Sequence, residues 1–129
     1  PITFGRTSIT PVLTPGHTPG TTTFFIRTPH EGRTVTCAMH GGIGINGLSR
    51  DELKENRLPL SLQQDFLNSL KNLKKQKVDV ILASHSHQYN MLQRAEKDDG
   101  SGNAFLDGGT GWTDLLDRHI QLIEELIRE

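Results

Sequence analysis

The chain has 129 residues, about the size of one ordinary domain, and 33% hydrophobic against 22% charged residues is the balance of a globular protein able to bury a core. A net charge of -1 excludes electrostatic capture by nucleic acid or an anionic membrane surface, so neither partner is expected. A single cysteine, Cys37 in the apolar run "TVTCAM", excludes an internal disulfide and is expected to be a small core residue.

Thr7 to Leu13 reads as a strand, with Pro11 suited to an edge or bulge. Thr14 to Gly20 ("TPGHTPG") is a loop, and Thr21 to Arg27 ("TTTFFIR") is a strand. Thr28 to Arg33 carries turn residues and Thr34 to Met39 is again a strand, so the pair predicts a hairpin. "HGGIGINGL" is too rich in glycine for a regular element, and Asp51 to Asn56 suits a short helix before Pro59. Ser61 and Gln64 suit a capping box for a helix whose Leu62, Phe66, Leu70 and Leu73 share one face.

The basic cluster from Lys71 to Lys77 at its end reads as a solvated face. Val78 to Ala83 ("VDVILA") predicts a buried strand, Met91 to Lys97 a helix and "DDGSGN" a loop. Thr113 to Glu129 predicts a terminal helix with Leu116, Ile120, Ile123 and Ile127 on one stripe. No run approaches the ~20 apolar residues of a membrane span, and no charged-then-apolar leader is seen. Pro1 rather than Met opens the chain, as expected of a processed or partial chain.

Histidines fall where this order places strand ends, the positions from which loops reach a common cleft in layered α/β proteins. His17 stands between Pro15-Gly16 and Pro19-Gly20: either a stiff loop suited to aiming one lone pair at a metal, or a turn that happens to contain a histidine. His85 and His87 follow the buried strand; either both face one cleft, or one enters the site while the other bonds backbone. His40 ends a hairpin strand as a ligand, as a donor behind a ligand, or as a polar residue at a strand end. His30 and His119 read as structural or solvated. A competing pattern, Gly42, Gly44 and Gly47 in G-x-G-x-x-G, would suit a dinucleotide-binding domain, but no parallel crossover is evident after it and Pro59 shortens the helix that would face the phosphate.

"TPGHTPGTTTFFI", the hairpin, the glycine-rich loop after a strand, and "VDVILASHSHQ" together resemble the second half of the metallo-β-lactamase superfamily, over nearly the whole chain. The likeness is to zinc hydrolases near the third subclass of metallo-β-lactamases. It implies an α/β fold, the C-terminal half (1–129) of an αββα sandwich with a mixed β-sheet flanked by helices. It implies His17 as the last histidine ligand of a first zinc site and His85 as that of a second, with His40, Ser84, Ser86 and His87 behind the ligands or on the substrate side. Where other branches place a bridging aspartate, this chain has His40 and Gly41, which fits the lactamase-like branch. The family's H-x-H-x-D-H segment, which supplies the other ligands, does not occur in these residues.

The implied activity is opening of a β-lactam or similar cyclic amide or ester by a zinc-bound hydroxide, with two zincs in the complete enzyme. The chain alone is expected to bind zinc weakly and to be inactive, since a catalytic zinc needs three protein ligands. Its expected partners are a small-molecule substrate and an N-terminal half or a second copy of the chain. A periplasmic or secreted location would follow from a lactamase-like role, a cytoplasmic one otherwise. The alternative from another class is a non-catalytic zinc-binding or interaction module.

Overall fold

The computed structural model describes residues 1–129. In chain order it contains β1 (Ile2–Phe4), β2 (Thr7–Leu13), β3 (Thr22–His30), β4 (Arg33–His40), α1 (Arg50–Glu55), α2 (Ser61–Leu73), β5 (Val80–Ile81), a 3₁₀ turn at Ser86–Tyr89, α3 (Met91–Glu96) and α4 (Thr110–Arg128). The strands form one mixed sheet in the order β1-β2-β3-β4-β5, antiparallel except for the parallel pair β4 and β5. The α/β class and the mixed sheet expected from sequence are both present.

The expected hairpin is β3 and β4, but its turn is far shorter than Thr28 to Arg33. His30 pairs with Arg33, and only Glu31 and Gly32 turn the chain, both at positive φ (47° and 78°). A two-residue turn of that hand matches the twist of the strands it joins, so pairing runs nearly to the tip. Pro29 sits there without penalty to β2, because the β2 register ends at Ser8 opposite Arg27. β1, absent from the sequence reading, is joined to β2 by a tight turn in which Gly5 takes a φ of +59°.

Three other expectations need correction. Ser61 does not cap α2: Leu60 occupies that position with no side-chain cap, because the chain enters the helix through a turn begun at Pro59, whose carbonyl accepts from Leu62. A capping box does exist one helix earlier, where Ser49 and Glu52 close the N-terminus of α1. β5 is two residues long rather than six, although Asp79 and Leu82 still bond Thr36 and Ala38. A parallel crossover does follow the glycine-rich loop, running from β4 through α1 and α2 to β5.

The helices cover one face of the sheet. Phe25, Ala38 and Ile81 lie on that face and pack with Leu62, Phe66, Leu70 and Leu73 of α2 and Trp112, Leu116 and Ile123 of α4. The stripes read from sequence are thus the packed ones. Trp112 is edge-on to Phe25 at 6.3 Å and donates its indole N–H to the Leu73 carbonyl, which satisfies its polar end inside the core. The lysines at the end of α2 are not merely solvated, since Lys71 and Lys74 reach Glu124 and Asp117 of α4.

The other face is apolar and largely bare. Register puts Ile2, Ile9, Ile26 and Cys37 in one cross-strand row and Pro11, Phe24 and Met39 in the next. Ile2, Phe4 and Leu13 are 64%, 59% and 65% exposed. Cys37 belongs to this face and is half-buried rather than a core residue; burial, then the nearby Asp79 carboxylate, push its thiol pKa up. A face of this kind promotes association. We therefore predict that the chain self-associates at micromolar concentration in sedimentation velocity, and that Leu13→Lys with Phe24→Lys shifts it towards monomer while leaving the unfolding free energy within about 0.5 kcal/mol of the parent. A parent chain that sediments only as monomer contradicts this.

Candidate functional site

The loop carrying His17 begins where β2 ends and is closed by its own threonines. Thr14 N–H donates to the Thr21 carbonyl at 2.8 Å, the Thr14 and Thr23 hydroxyls meet at 2.9 Å, and Thr21 Oγ1 accepts from the Thr18 amide at 3.0 Å. These bonds satisfy backbone groups that a turn would otherwise expose. The loop is then seated on α2. Ser69 donates its hydroxyl to the Pro15 carbonyl at 2.8 Å, and Gly16 lies so close to Phe66 that an added Cβ would stand 2.6 Å from the Phe66 Cα. Gly16 is there because nothing larger fits.

His17 is half-buried, and its ring is held from a third direction by the glycine-rich loop after β4. Its Nδ1 is 2.7 Å from the Gly44 carbonyl oxygen. A carbonyl only accepts, so Nδ1 carries the hydrogen and Nε2 keeps its lone pair. This is the tautomer a metal ligand needs, held by the kind of carbonyl contact that orients imidazole ligands. Gly42 lies against the same ring: a Cβ there would be 2.5 Å from His17 Cδ2. His17 thus accounts for Gly42, while Gly41 is held to glycine by the Thr22 carbonyl, which an added Cβ would meet at 2.6 Å, and Gly47 by its φ of +85°. Nor is the next helix free for a phosphate, since the N-terminus of α1 is closed by Ser49 and Glu52.

His40 is 5% exposed at the end of β4, on the helix-covered face beside Thr23. Its Nδ1 accepts from the Gly42 N–H at 3.0 Å, and its buried Nε2 has no partner. Burial first, then the neighbouring imidazoles of His119 and His17, hold its pKa down at about 4. His119 on α4 donates Nδ1–H to the Leu115 carbonyl at 2.8 Å and is likewise depressed, mainly by burial.

Ser84 donates its hydroxyl to the His40 carbonyl at 2.5 Å, tying the loop after β5 to the end of β4. His85 follows directly, exposed, with its backbone N–H bonded to Gln88 Oε1 at 3.2 Å. Its ring stacks on His87, centroids 5.7 Å apart at 20°. His87 in turn lines a separate cleft of about 270 Å³ with Tyr89, Arg94, Asp107 and Arg118, which includes neither His17 nor His85. Ser86 opens the 3₁₀ turn and is exposed.

The structure thus joins His17, Gly42, Gly44, His40 and Ser84 into one connected unit and places His85 one residue beyond it. No group of three or more His, Cys, Asp or Glu side chains stands where it could hold a metal ion. His17 fits a ligand by its tautomer, while the chain's own residues supply less than a complete metal site. The role of Gly42 and Gly44 was invisible as metal chemistry in the sequence; the only signal was an unusual density of glycine after a strand.

No family profile and no curated protein matches the sequence. Solved structures do. The native FEZ-1 metallo-β-lactamase from Legionella gormanii is 26% identical with a TM-score of 0.82, covering 96% of this chain and 47% of that one. BJP-1, a subclass B3 metallo-β-lactamase of Bradyrhizobium japonicum, is 25% identical with a TM-score of 0.71, covering 97% and 48%. A β-lactamase from Chitinophaga pinensis is 27% identical with a TM-score of 0.75, covering 99% and 48%. The chain therefore spans about half the length of the structures it matches, and the resemblance to third-subclass metallo-β-lactamases read from its sequence is borne out.

Proposed function

We propose, from a chain whose fold matches half of a metallo-β-lactamase, that these residues form the C-terminal half of a zinc-dependent hydrolase that opens a β-lactam or a similar cyclic amide or ester. The observation that carries this reading is the His17 ring, clamped by Gly42 and by the Gly44 carbonyl so that Nε2 keeps its lone pair. His17 would contribute to one zinc and His85 to the other, the remaining ligands coming from an H-x-H-x-D-H segment outside these residues. Zinc, when bound, supplies activation of water near neutral pH and polarisation of the substrate carbonyl. This chain's own part is positional. The Pro15–Gly20 loop, seated on α2, presents the His17 lone pair along one direction. Ser84 fixes the start of the His85 loop to β4, and the bare sheet face offers the surface on which the other half would pack.

The test is zinc content and hydrolysis of a chromogenic cephalosporin, for the 129 residues alone and for a product extended by any coding sequence on their N-terminal side. Alone, the chain is expected to hold less than one equivalent of zinc and to show no turnover. The extended product should hold two equivalents, and His17→Ala or His85→Ala should each lower turnover by at least about 100-fold. Turnover indifferent to both substitutions overturns the assignment. Two zincs without β-lactam opening would redirect the substrate to another cyclic ester or amide. The absence of a three-ligand cluster favours one second reading, a non-catalytic module, which the extended product would support by showing neither two zincs nor turnover.

A further inference from the structure

We propose that His40 is a positioning residue that locks the glycine-rich loop against His17 and couples it to the loop bearing His85; the inference deepens the functional reading above and rests on His17 being a ligand. Three contacts carry it, two of them made by His40 itself. The His40 ring takes the Gly42 N–H onto Nδ1 at 3.0 Å, and Gly42 is the residue on which the His17 ring rests. Two residues further along, the Gly44 carbonyl takes the His17 Nδ1–H at 2.7 Å. The His40 backbone carbonyl takes the Ser84 hydroxyl at 2.5 Å, immediately before His85. Both ligand-bearing loops are therefore referred to one rigid point, the end of the β4 strand, where Thr23 stands opposite.

The arrangement has a polar cost that points the same way. Because a backbone N–H can only donate, His40 Nδ1 must accept, and the hydrogen of the neutral ring is forced onto Nε2. That Nε2 is buried without a partner in a residue 5% exposed. A histidine that served only to fill this space would be better replaced by an apolar side chain, which has no donor to strand. An acceptor for Gly42 is what leucine or isoleucine could not supply. The His40 tautomer thus sets the loop, and the loop sets the His17 tautomer.

The experiment is long-range ¹H–¹⁵N correlation of the imidazole nitrogens in the metal-free 129-residue chain, with amide exchange at Gly42. The parent is expected to show His40 as the Nε2–H tautomer and His17 as the Nδ1–H tautomer, with Gly42 protected. His40→Leu should speed Gly42 exchange by at least about tenfold and leave His17 a mixture of tautomers. His40→Asn, whose Oδ1 stands where Nδ1 stood, should restore both. A folded His40→Leu chain with an unchanged His17 tautomer overturns the proposal. If that variant does not fold, the parent alone decides: His40 found as Nδ1–H cannot accept from Gly42, and the proposal is lost. These readouts need no zinc, so intact tautomers in an extended product that fails to bind zinc would remove the ligand reading and leave the coupling standing.

Discussion

Gly16→Ala is expected to lower stability by on the order of 3 kcal/mol, at the upper end for overpacking, because the new methyl has nowhere to go. It would meet Phe66 at Cδ2, Cβ and Cα, the last a backbone atom 2.6 Å away, so no rotamer change relieves the contact. Phe66 is itself 0% exposed at the centre of the core, and the loop cannot rise without breaking the Ser69 bond to the Pro15 carbonyl. Against the 5–15 kcal/mol total typical of a domain this is a large share. Gly20→Ala is the matched control, since a Cβ there meets nothing within 4 Å. Urea denaturation should show the midpoint falling for Gly16→Ala with the slope unchanged, and staying near the parent for Gly20→Ala. Equal midpoints for the two variants would mean the loop is not seated on α2.

The second large effect is acid destabilisation that begins above the carboxylate range. His40 is held near a pKa of about 4 in the folded chain, against about 6.5 when unfolded. The unfolded state therefore binds its proton first as pH falls, and stability contributed by the neutral ring is intact above about 6.5 and lost progressively down to about 4. The gap corresponds to on the order of 3 kcal/mol. His119, depressed mainly by burial, acts in the same direction. Glu52 and Asp99 have carboxyls lowered by their bonds to Ser49 and Ser101, so their contributions are lost only at the acid end of this window and below it. Urea midpoints measured with chelator present should fall between pH 7.5 and 4.5, and His40→Leu should flatten that fall. A parent with the same midpoint at both values would show that His40 is not buried neutral.

Secondary structure was legible where one physical signal dominated. The α4 stripe and the α2 face were readable because a 3.6-residue apolar period has one outcome once a sheet is available to pack on. The hairpin was readable from β-branched runs, but its tip was not: Pro29, His30, Glu31 and Gly32 have turn composition, and pairing with β4 overrode it for all but two of them. The capping box at Ser61 failed for a similar reason, since Pro59 had already begun the turn. β5 lost most of its predicted length because its pairing with β4 ends as the chain turns towards His85.

For the site, the sequence by itself determined that His17 stands between two prolines of fixed φ and two glycines able to turn sharply, while the seating of that loop came from Ser69 and Phe66 of α2. It also determined the resemblance and the absence of H-x-H-x-D-H, both properties of residue order. Only the tertiary structure decided which nitrogen of His17 is free, what the glycine-rich loop is for, and that His40 joins the loops after β2, β4 and β5. Those facts depend on contacts between residues 27 and 44 positions apart in the chain, and a hydrogen bond at that separation exists only once the packed sheet has brought its ends together.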